Sequence, residues 1–408
     1  MDGSGAFRED ANVRPSSSLP FMPLLRKRME HLAIGTLDIT FPGGGFERFG
    51  NPASGAPHLH GAIVLHNWRA LSRMLRSGAI GLGEGYMAGD WDSPDLGALL
   101  TMLAANMDRV ERNSFVGRLT LQLDRLRHFL NRNSREGSRR NIAFHYDLGN
   151  DFYRLWLDRT FTYSAALYDR PGLTLEAAQT CKYARLAEAV GLKHGDHVLE
   201  IGCGWGGFAE YAAGTLGCRV TGITLSQEQL VYATARMKAA GLDHLVELRL
   251  QDYRDVGGSF DAIVSIEMLE AVGEEWWPTY FNQLKARLKP GGKAGVQVIT
   301  IDDERFEGYR ASTDFIQKYI FPGGMLPSDS IVRKQATAAG LAVDSHLAFG
   351  LGYAETLADW HRRFLAARAD VMGLGYDIRF LRMWRFYLAY CEAGFRQGLI
   401  DVRQYVFA

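Results

Sequence analysis

Short, continuous apolar runs alternate with helical patterns along the central part of the chain. Strands that are buried on both faces have this continuous character, whereas half-buried strands alternate apolar and polar residues. The alternation of strand and helix predicts a doubly wound α/β domain with a parallel sheet. The predicted strands are residues 198–201, 219–224, 246–253, 260–270 and 293–301.

The pattern before this domain is less regular. Residues 1–20 contain acids, prolines and serines, and we expect them to be disordered. Residues 21–135 are expected to form a smaller, lipid-associated N-terminal domain. A segment rich in glycine and aromatic residues, 81–92, is predicted to be a functional loop or simply a packed turn. The other predicted elements of this domain are helices at 23–32 and 69–78 and strands at 35–41 and 62–66.

A basic amphipathic helix is predicted within residues 112–140, which hold eight arginines against Asp124 and Glu136. Such a helix could lie on anionic lipid, where each basic residue contributes ~1 kcal/mol. Alternatively, it packs on its own domain with its arginines in solvent. The polar residues 131–138 at its end place the domain boundary there, so that residues 136–408 form the catalytic domain.

A glycine-rich turn follows the first strand of the central domain, at residues 202–207. It lacks the Gly-Lys-Ser/Thr triplet of a P-loop, and its match to the dinucleotide fingerprint is weak. Glu200 stands two residues before the first glycine, where a carboxylate would repel a pyrophosphate but attract a cationic ligand. S-adenosylmethionine, with its ammonium and sulfonium groups, is therefore the favoured ligand over a ligand-free turn.

Polar side chains at the ends of the next strands suit the rest of this cofactor. Thr224, Leu225 and Gln229 lie where a ribose is expected. Gln251 and Asp252, followed by Tyr253, suit the adenine amino group, and Ser265 lies on the next strand.

Composition narrows the possible settings of the protein. The 408 residues carry no net charge, so no overall field attracts nucleic acid. The four cysteines lack metal-ligand spacing, and a reducing cytosol without a metal site is expected. No signal peptide and no apolar stretch of transmembrane length is evident, which still allows peripheral binding to the inner face of a membrane.

Two further segments are rich in apolar and aromatic groups. Residues 302–327 are predicted to be a helical insertion that covers the cofactor edge. Aromatic residues then recur at helical spacing, and we expect most of them in the core and a subset around a cavity that suits a lipid chain. They are Tyr353, Trp360, Phe364, Tyr376, Phe380, Trp384, Phe386, Tyr387, Tyr390 and Phe395.

Eight segments resemble the cyclopropane-fatty-acyl-phospholipid synthases and the mycolic acid cyclopropane synthases, over about residues 78–407. The resemblance implies a class I S-adenosylmethionine-dependent methyltransferase domain, Rossmann-like, with a helical lid. It further implies methyl transfer to the cis double bond of a phospholipid acyl chain, and a possible homodimer. The segments are residues 140–151, 162–164, 199–207, 222–229, 251–255, 267–273, 318–324 and 326–328.

The resemblance also assigns roles to single residues. Glu270 and Tyr353 match the active-site glutamate and tyrosine, and Cys391 is a further catalytic candidate. His145 and Tyr146 match an entrance motif that closes over the cofactor. The positions that match cofactor contacts are Tyr163, Ser164, Gly202, Gly204, Trp205, Gly206, Thr224, Leu225, Gln229 and Gln251.

The sequence departs from the family at the residues expected to hold the base that removes the proton. Well-known members hold a bicarbonate ion with a cysteine, a glutamate, a histidine, a main-chain group and a tyrosine. Glu270, Ile299 and Tyr353 remain here, but Ala165 and Gln297 stand at the cysteine and histidine positions. The amide of Gln297 can still hydrogen-bond an anion, whereas Ala165 is expected to donate nothing. Bicarbonate is therefore a possible co-reactant.

The fate of the carbocation left by methyl transfer separates the candidate functions. Ring closure gives a cyclopropane, which is the favoured product, and proton loss without closure gives a methyl-branched or methylene-branched chain. A non-catalytic lipid-binding protein is disfavoured because Glu270, Tyr353 and the glycine turn are intact. A small-molecule methyltransferase is disfavoured by the aromatic segment and the basic helix.

Overall fold

The computed structural model describes residues 22–29, 32–50, 59–107 and 148–408. The predicted disordered N-terminus, the basic helix and its linker, and the entrance residues His145 and Tyr146 lie outside these ranges. The chain divides into two compact units, Met1–Gly117 and Arg118–Ala408. The boundary predicted near residue 135 falls outside the described residues and stays a prediction.

The first unit is built on a sheet with the strand order β2-β1-β3-β4, in which β1 runs antiparallel to β2 and parallel to β3. Its described elements are α1 Met22–Met29, β1 Thr36–Thr40, β2 Phe46–Gly50, β3 His60–Leu65, α2 Arg69–Met87, β4 Trp91–Asp92 and α3 Leu96–Ala105. The strand β2 was not predicted, because three of its five positions are exposed and it carries little apolar pattern.

Most of the glycine-rich segment 81–92 is helical, so the prediction of a loop was wrong there. The helix α2 kinks at Gly78 and continues to Met87. A Cβ on Gly81 would lie 2.0 Å from the carbonyl oxygen of Arg73, so the glycine permits close packing across the kink. The glycines of this segment therefore bring backbone segments together.

The second unit contains the predicted α/β domain. Its helices within residues 148–408 are α4 Asn150–Arg154, α5 Leu175–Val190, α6 Gly207–Leu216, α7 Gln227–Ala239, α8 Trp277–Arg287, α9 Asp303–Arg310, α10 Phe315–Tyr319, α11 Asp329–Ala338, α12 Gly350–Ala366, α13 Arg368–Gly373 and α14 Ile378–Arg396. Its strands are β5 His197–Ile201, β6 Arg219–Thr224, β7 Val246–Leu250, β8 Phe260–Ile266, β9 Leu288–Ile301, β10 Val343–Ala348 and β11 Ile400–Phe407.

The strands of this unit form one sheet in the order β10-β11-β9-β8-β5-β6-β7. The five strands from β9 to β7 are parallel, which confirms the doubly wound α/β prediction. The sheet also contains β10 and β11, which were not predicted, and β11 runs antiparallel to both β9 and β10.

The ends of β7 and β8 position the site. Both strands stop earlier than predicted, at Leu250 and Ile266, and a short 3-10 turn follows each of them, at Tyr253–Asp255 and Leu269–Ala271. The chain leaves the sheet in these turns, so the side chains that follow point toward the carboxyl edge, where ligands of parallel sheets bind.

The insertion predicted after the fifth strand is helical, as α9 and α10 show. The later aromatic run forms α12, α13 and α14, and α12 packs closely on α14. Most of its large side chains are buried, including Trp360, Trp384 and Phe386. None of the helices described is both long and apolar enough to cross a lipid bilayer.

Candidate active site

A cavity opens at the carboxyl ends of β5, β6 and β8. The residues predicted to hold the cofactor contribute much of its wall. Those that line it are Tyr163, Ser164, Glu200, Gly202, Gly204, Trp205, Thr224, Leu225, Gln229, Gln251 and Tyr253. Glu267, Met268 and Ala271 line the same cavity from the turn after β8.

The glycine turn depends on backbone conformations that other residues rarely adopt. Gly202 and Gly206 have φ of 82° and 83°. A Cβ on Gly202 would lie 3.0 Å from Cγ of Met268, so a side chain here would also press on the cavity wall. The turn then enters α6 at Gly207, whose N-terminal N–H groups can bind an anionic group of a ligand.

Glu200 is buried at the end of β5, with 3% of its surface exposed. Its Oε2 has no hydrogen-bond partner among the described residues. Burial raises the pKa of this carboxyl well above its usual value, and nearby Arg236 opposes that rise. A cationic group of a ligand would satisfy the orphaned oxygen, so the site fits the ammonium group of S-adenosylmethionine.

The β6 and β7 ends form the opposite part of the cavity. The Thr224 hydroxyl donates to Oε1 of Gln229 at 2.8 Å, which holds both side chains in place. Gln251 donates its amide to the main-chain oxygen of Asp255 at 2.8 Å. These contacts fix the polar groups that the sequence predicts to bind the nucleoside.

Of the predicted cofactor residues that the structure describes, three do not line the cavity. Asp252 is paired with Arg254, at 2.6 Å between Oδ2 and Nη2. Ser265 is fully buried in β8. Gly206 lies in the glycine turn, behind the residues that line the cavity. The roles of Asp252 and Ser265 in binding adenine stay predictions.

A buried lysine that sequence reasoning missed lies behind the cavity wall. Lys182 of α5 has no exposed surface, and its Nζ donates to Oγ of Ser164 at 2.6 Å. Burial lowers the pKa of this ammonium group, while the carboxylates of Glu267, Asp158 and Glu200 raise it. A lone lysine in a helix gives no sequence signal of burial, since most lysines lie in solvent.

Glu267 receives three hydrogen bonds from three separate segments. The main-chain N–H of Ala165 and the amide of Gln297 each donate to Oε1 at 2.8 Å. The Tyr353 hydroxyl donates to Oε2 at 2.9 Å. The expectation that Ala165 donates nothing was wrong, because its main chain donates where its side chain cannot.

The backbone at Glu267 is strained, with φ of 51°. In the described ranges, the other non-glycine residue with positive φ is Phe161, which also lines the cavity. Strained residues of this kind concentrate at functional sites.

Glu270 follows one turn later in a different environment. Its Oε1 accepts from the main-chain N–H of Ile299 at 2.5 Å, and its Oε2 is buried without a hydrogen-bond partner in the described part of the chain. Burial, and then the neighbouring charge of Glu267, raise the pKa of Glu270 to about 8. This carboxyl is therefore mainly protonated at neutral pH.

Gln297 is oriented by a chain of hydrogen bonds behind it. Arg185 donates to Oε1 of Gln404 at 2.6 Å, and Gln404 donates to Oε1 of Gln297 at 3.0 Å. Since arginine can only donate, each amide in the chain has one possible orientation. The amino group of Gln297 must therefore face Glu267.

Aromatic rings surround the residues at this end of the cavity. Tyr163 lies 5.3 Å from Trp360 and 6.4 Å from Phe321 between ring centroids, and its hydroxyl is 2.7 Å from that of Tyr387. Ring faces of this kind can stabilise a cation. Cys391 lies on α14, and burial raises the pKa of its thiol, so that it stays protonated.

The comparisons with known proteins agree with this geometry. The profile of the family described as mycolic acid cyclopropane synthetase matches residues 133–405. The chain is 44% identical to the tuberculostearic acid methyltransferase UfaA1 of Mycobacterium tuberculosis, over 84% of this chain and 82% of that protein. It is 38% identical to the cyclopropane-fatty-acyl-phospholipid synthase of Escherichia coli, over 85% of this chain and 87% of that protein.

A solved structure with the same fold is that of the mycolic acid cyclopropane synthase CmaA1 complexed with SAH and CTAB. It is 30% identical, with a TM-score of 0.63, and the match covers 66% of this chain and 97% of that one. The matched family profile spans well over half of the chain, and the cavity fits the cofactor that these proteins share. The chain therefore belongs to the mycolic acid cyclopropane synthetase family and is an S-adenosylmethionine-dependent methyltransferase.

Proposed function

We propose that the protein transfers a methylene unit from S-adenosylmethionine to the cis double bond of an unsaturated phospholipid acyl chain and closes a cyclopropane ring. One observation carries the proposal. The orphaned carboxylate of Glu200, suited to a cationic methyl donor, and the carboxylate of Glu267 open on the same cavity.

The residues present match the demands of this chemistry. An alkene is a poor nucleophile, so it must be held in line with the methyl group in a site without water. Its π electrons form the new C–C bond as the S–CH₃ bond breaks, which leaves a positive charge on the acyl chain. Carboxylates and aromatic faces stabilise that charge without capturing it.

A base must then remove one proton from the new methyl group, and the C–H electron pair closes the ring. A 1,2-hydride shift before this proton loss would give an exocyclic methylene group instead. Both routes need the base at the same carbon. A saturated methyl branch would need a reductant in addition, so the immediate product of the second route keeps one double bond.

Methylene branching is the second candidate function. It is supported by the higher identity to the tuberculostearic acid methyltransferase, 44% against 38% for the E. coli cyclopropane synthase, at similar coverage. The ring-forming candidate is supported by that synthase and by the cyclopropane synthases of known structure.

Expression in a bacterial host that lacks its own cyclopropane synthase tests both candidates. The fatty acids are analysed by mass spectrometry, before and after a reaction that labels double bonds. A gain of one CH₂ with loss of the double bond indicates a cyclopropane, and the same gain with the double bond retained indicates branching. Unchanged fatty acids, with the protein folded and its substrates present, would contradict both.

Access to phospholipid acyl chains requires contact with a bilayer. We propose that the protein binds peripherally to the inner face of the membrane, with the arginine-rich residues 112–140 attracted to anionic headgroups. The absence of net charge on the whole chain makes this a local attraction.

A further inference from the structure

We propose that Glu267 is the general base of the reaction and that this enzyme needs no bicarbonate. The proposal rests on the proposed function, since it concerns the proton that the new methyl group loses. It would make Glu267 a catalytic residue that the sequence comparison with the family does not assign.

The groups expected to hold a bicarbonate ion are already engaged. Ala165, Gln297 and Tyr353 direct their donors at Glu267, and the N–H of Ile299 donates to Glu270. A second anion placed here would lack donors and would be repelled by the carboxylate of Glu267. The site therefore does not fit bicarbonate.

The hydrogen bonds leave one oxygen of Glu267 able to accept a proton. Each carboxylate oxygen has two lone pairs. Both on Oε1 are used, by Ala165 and Gln297, whereas Oε2 accepts one bond, from Tyr353. The remaining lone pair is on Oε2, and the residue lines the cofactor cavity.

Glu267 and Glu270 differ in the groups that surround their carboxyls. Burial raises the pKa of Glu267, whereas the buried Lys182 and the three hydrogen-bond donors oppose that rise and favour its carboxylate. Glu270, with a pKa of about 8, holds a proton at neutral pH. The donors and the lysine that favour a carboxylate therefore surround Glu267, whereas Glu270 accepts one hydrogen bond, from Ile299.

In the proposed step, a C–H bond of the new methyl group breaks and its proton moves to Oε2 of Glu267. The electron pair of that bond closes the ring, or forms the exocyclic double bond after a hydride shift. The carbocation is neutralised and Glu267 becomes a carboxylic acid. It returns its proton to solvent after the product leaves.

The test uses the full chain, S-adenosylmethionine and vesicles of unsaturated phospholipid, in buffer free of carbon dioxide and in buffer with millimolar bicarbonate. Three variants are compared with the wild type. Glu267→Gln keeps the shape of the side chain, and its amide oxygen can still accept hydrogen bonds from Ala165 and Gln297. Glu267→Gly relieves the backbone strain at φ 51° and leaves space for a small anion. Glu274→Gln, at a partly exposed carboxylate paired with Arg310, is the matched control.

Binding of S-adenosylhomocysteine, measured by calorimetry, reports that each variant folds and keeps its cofactor site. We expect affinities within about threefold of the wild type and turnover of Glu267→Gln reduced at least about a hundredfold. Wild-type turnover should be the same with and without bicarbonate. Bicarbonate or formate should restore turnover to Glu267→Gly in a saturable manner and should not restore Glu267→Gln.

Three results would overturn the proposal. They are a wild-type enzyme that requires bicarbonate, a Glu267→Gln variant with turnover close to that of the control, and a Glu267→Gly variant that no small carboxylate or bicarbonate restores. A wild-type protein that binds S-adenosylhomocysteine but leaves all lipids unchanged would instead refute the proposed function.

Discussion

Glu267 and Glu270 of the site differ in the number of hydrogen-bond donors that they face. Glu267 receives three hydrogen bonds, whereas Glu270 receives one, from Ile299, and its other oxygen is buried. Hydrogen bonds to a carboxylate favour its charged form and burial disfavours it. Two glutamates three positions apart in the sequence therefore differ in how strongly their surroundings favour the charged form.

The raised pKa of Glu270 predicts a pH-dependent stability. Between the ordinary pKa of 4.5 and the folded value of about 8, the folded state keeps a proton that the unfolded state releases. The free energy of unfolding should therefore fall as the pH rises through this window. The variant Glu270→Gln should show a smaller fall, measured by urea unfolding at pH 5 and pH 8. Equal falls in both proteins would contradict the assignment.

The Oε2 of Glu200, which has no hydrogen-bond partner among the described residues, predicts a loss of cofactor affinity when an amide replaces the carboxyl group. Glu200→Gln should weaken S-adenosylmethionine binding about tenfold to a hundredfold, because a hydrogen bond to a charged group contributes about 1.5–3 kcal/mol. Calorimetry gives the affinity. Glu247→Gln, at an exposed carboxylate paired with Arg249, is the control and should bind normally. Equal affinity in both variants would exclude Glu200 from ammonium binding.

The sequence predicted the cofactor side of the site better than the base. Glycine spacing and the acid at the strand end point directly to Glu200 and the turn. At the base, Ala165 and Gln297 indicated a departure from the family, but not what replaces the missing groups. Glu267 is positioned by a backbone with φ of 51°, and the buried Lys182 contacts Ser164, 18 residues away in the sequence. Neither feature leaves a local sequence pattern.

At the level of elements, the glycine turn is held between β5 and the packed face of α7. A Cβ on Gly206 would lie 3.2 Å from both Cβ of Ala233 and Cε of Met237. The turn therefore cannot widen without moving α7. This packing couples the cofactor turn to the helix that carries Gln229.

The variant Gly206→Ala should accordingly lose more stability than backbone strain alone explains. An alanine at positive φ costs about 1–2 kcal/mol, and overpacking adds about 1–3 kcal/mol. Gly241→Ala is a matched control, since Gly241 has φ of 68° but a Cβ added there would meet no atom within 4 Å. Urea unfolding measures both. A loss no greater in Gly206→Ala than in Gly241→Ala would contradict the packing argument.

The parallel strands were predictable because each is a continuous apolar run, but the other edge of the sheet was not. The strand β10 is mostly exposed, and β11 follows a long amphipathic helix after only a short turn at Gly398. The strand β11 pairs with the edge of β9, which is far away in the sequence, and β10 then pairs with β11. Local pattern carries little information about such pairing.

At the level of the whole molecule, membrane binding should depend on lipid charge. In sedimentation with vesicles, the full chain should bind anionic phospholipid more strongly than neutral phosphatidylcholine, and added salt should weaken the difference. Reversal of charge at Arg125 and Arg127 together, by glutamate, should reduce the anionic preference. Binding that is equal for both lipids would show that residues 112–140 do not act by charge.

The position of β11 has a consequence for the synthesis of the protein. Gln404, which orients Gln297 toward Glu267, is on this strand, and 99 positions separate Ile301 at the end of β9 from Ile400. At ~5–20 residues per second, β9 emerges from the ribosome ~5–20 s before the strand that covers its edge. During that interval the nascent chain carries an unpaired apolar strand edge, which is a site for aggregation and for chaperone binding. The hydrogen bond that orients Gln297 toward Glu267 can form only when β11 has been inserted into the sheet.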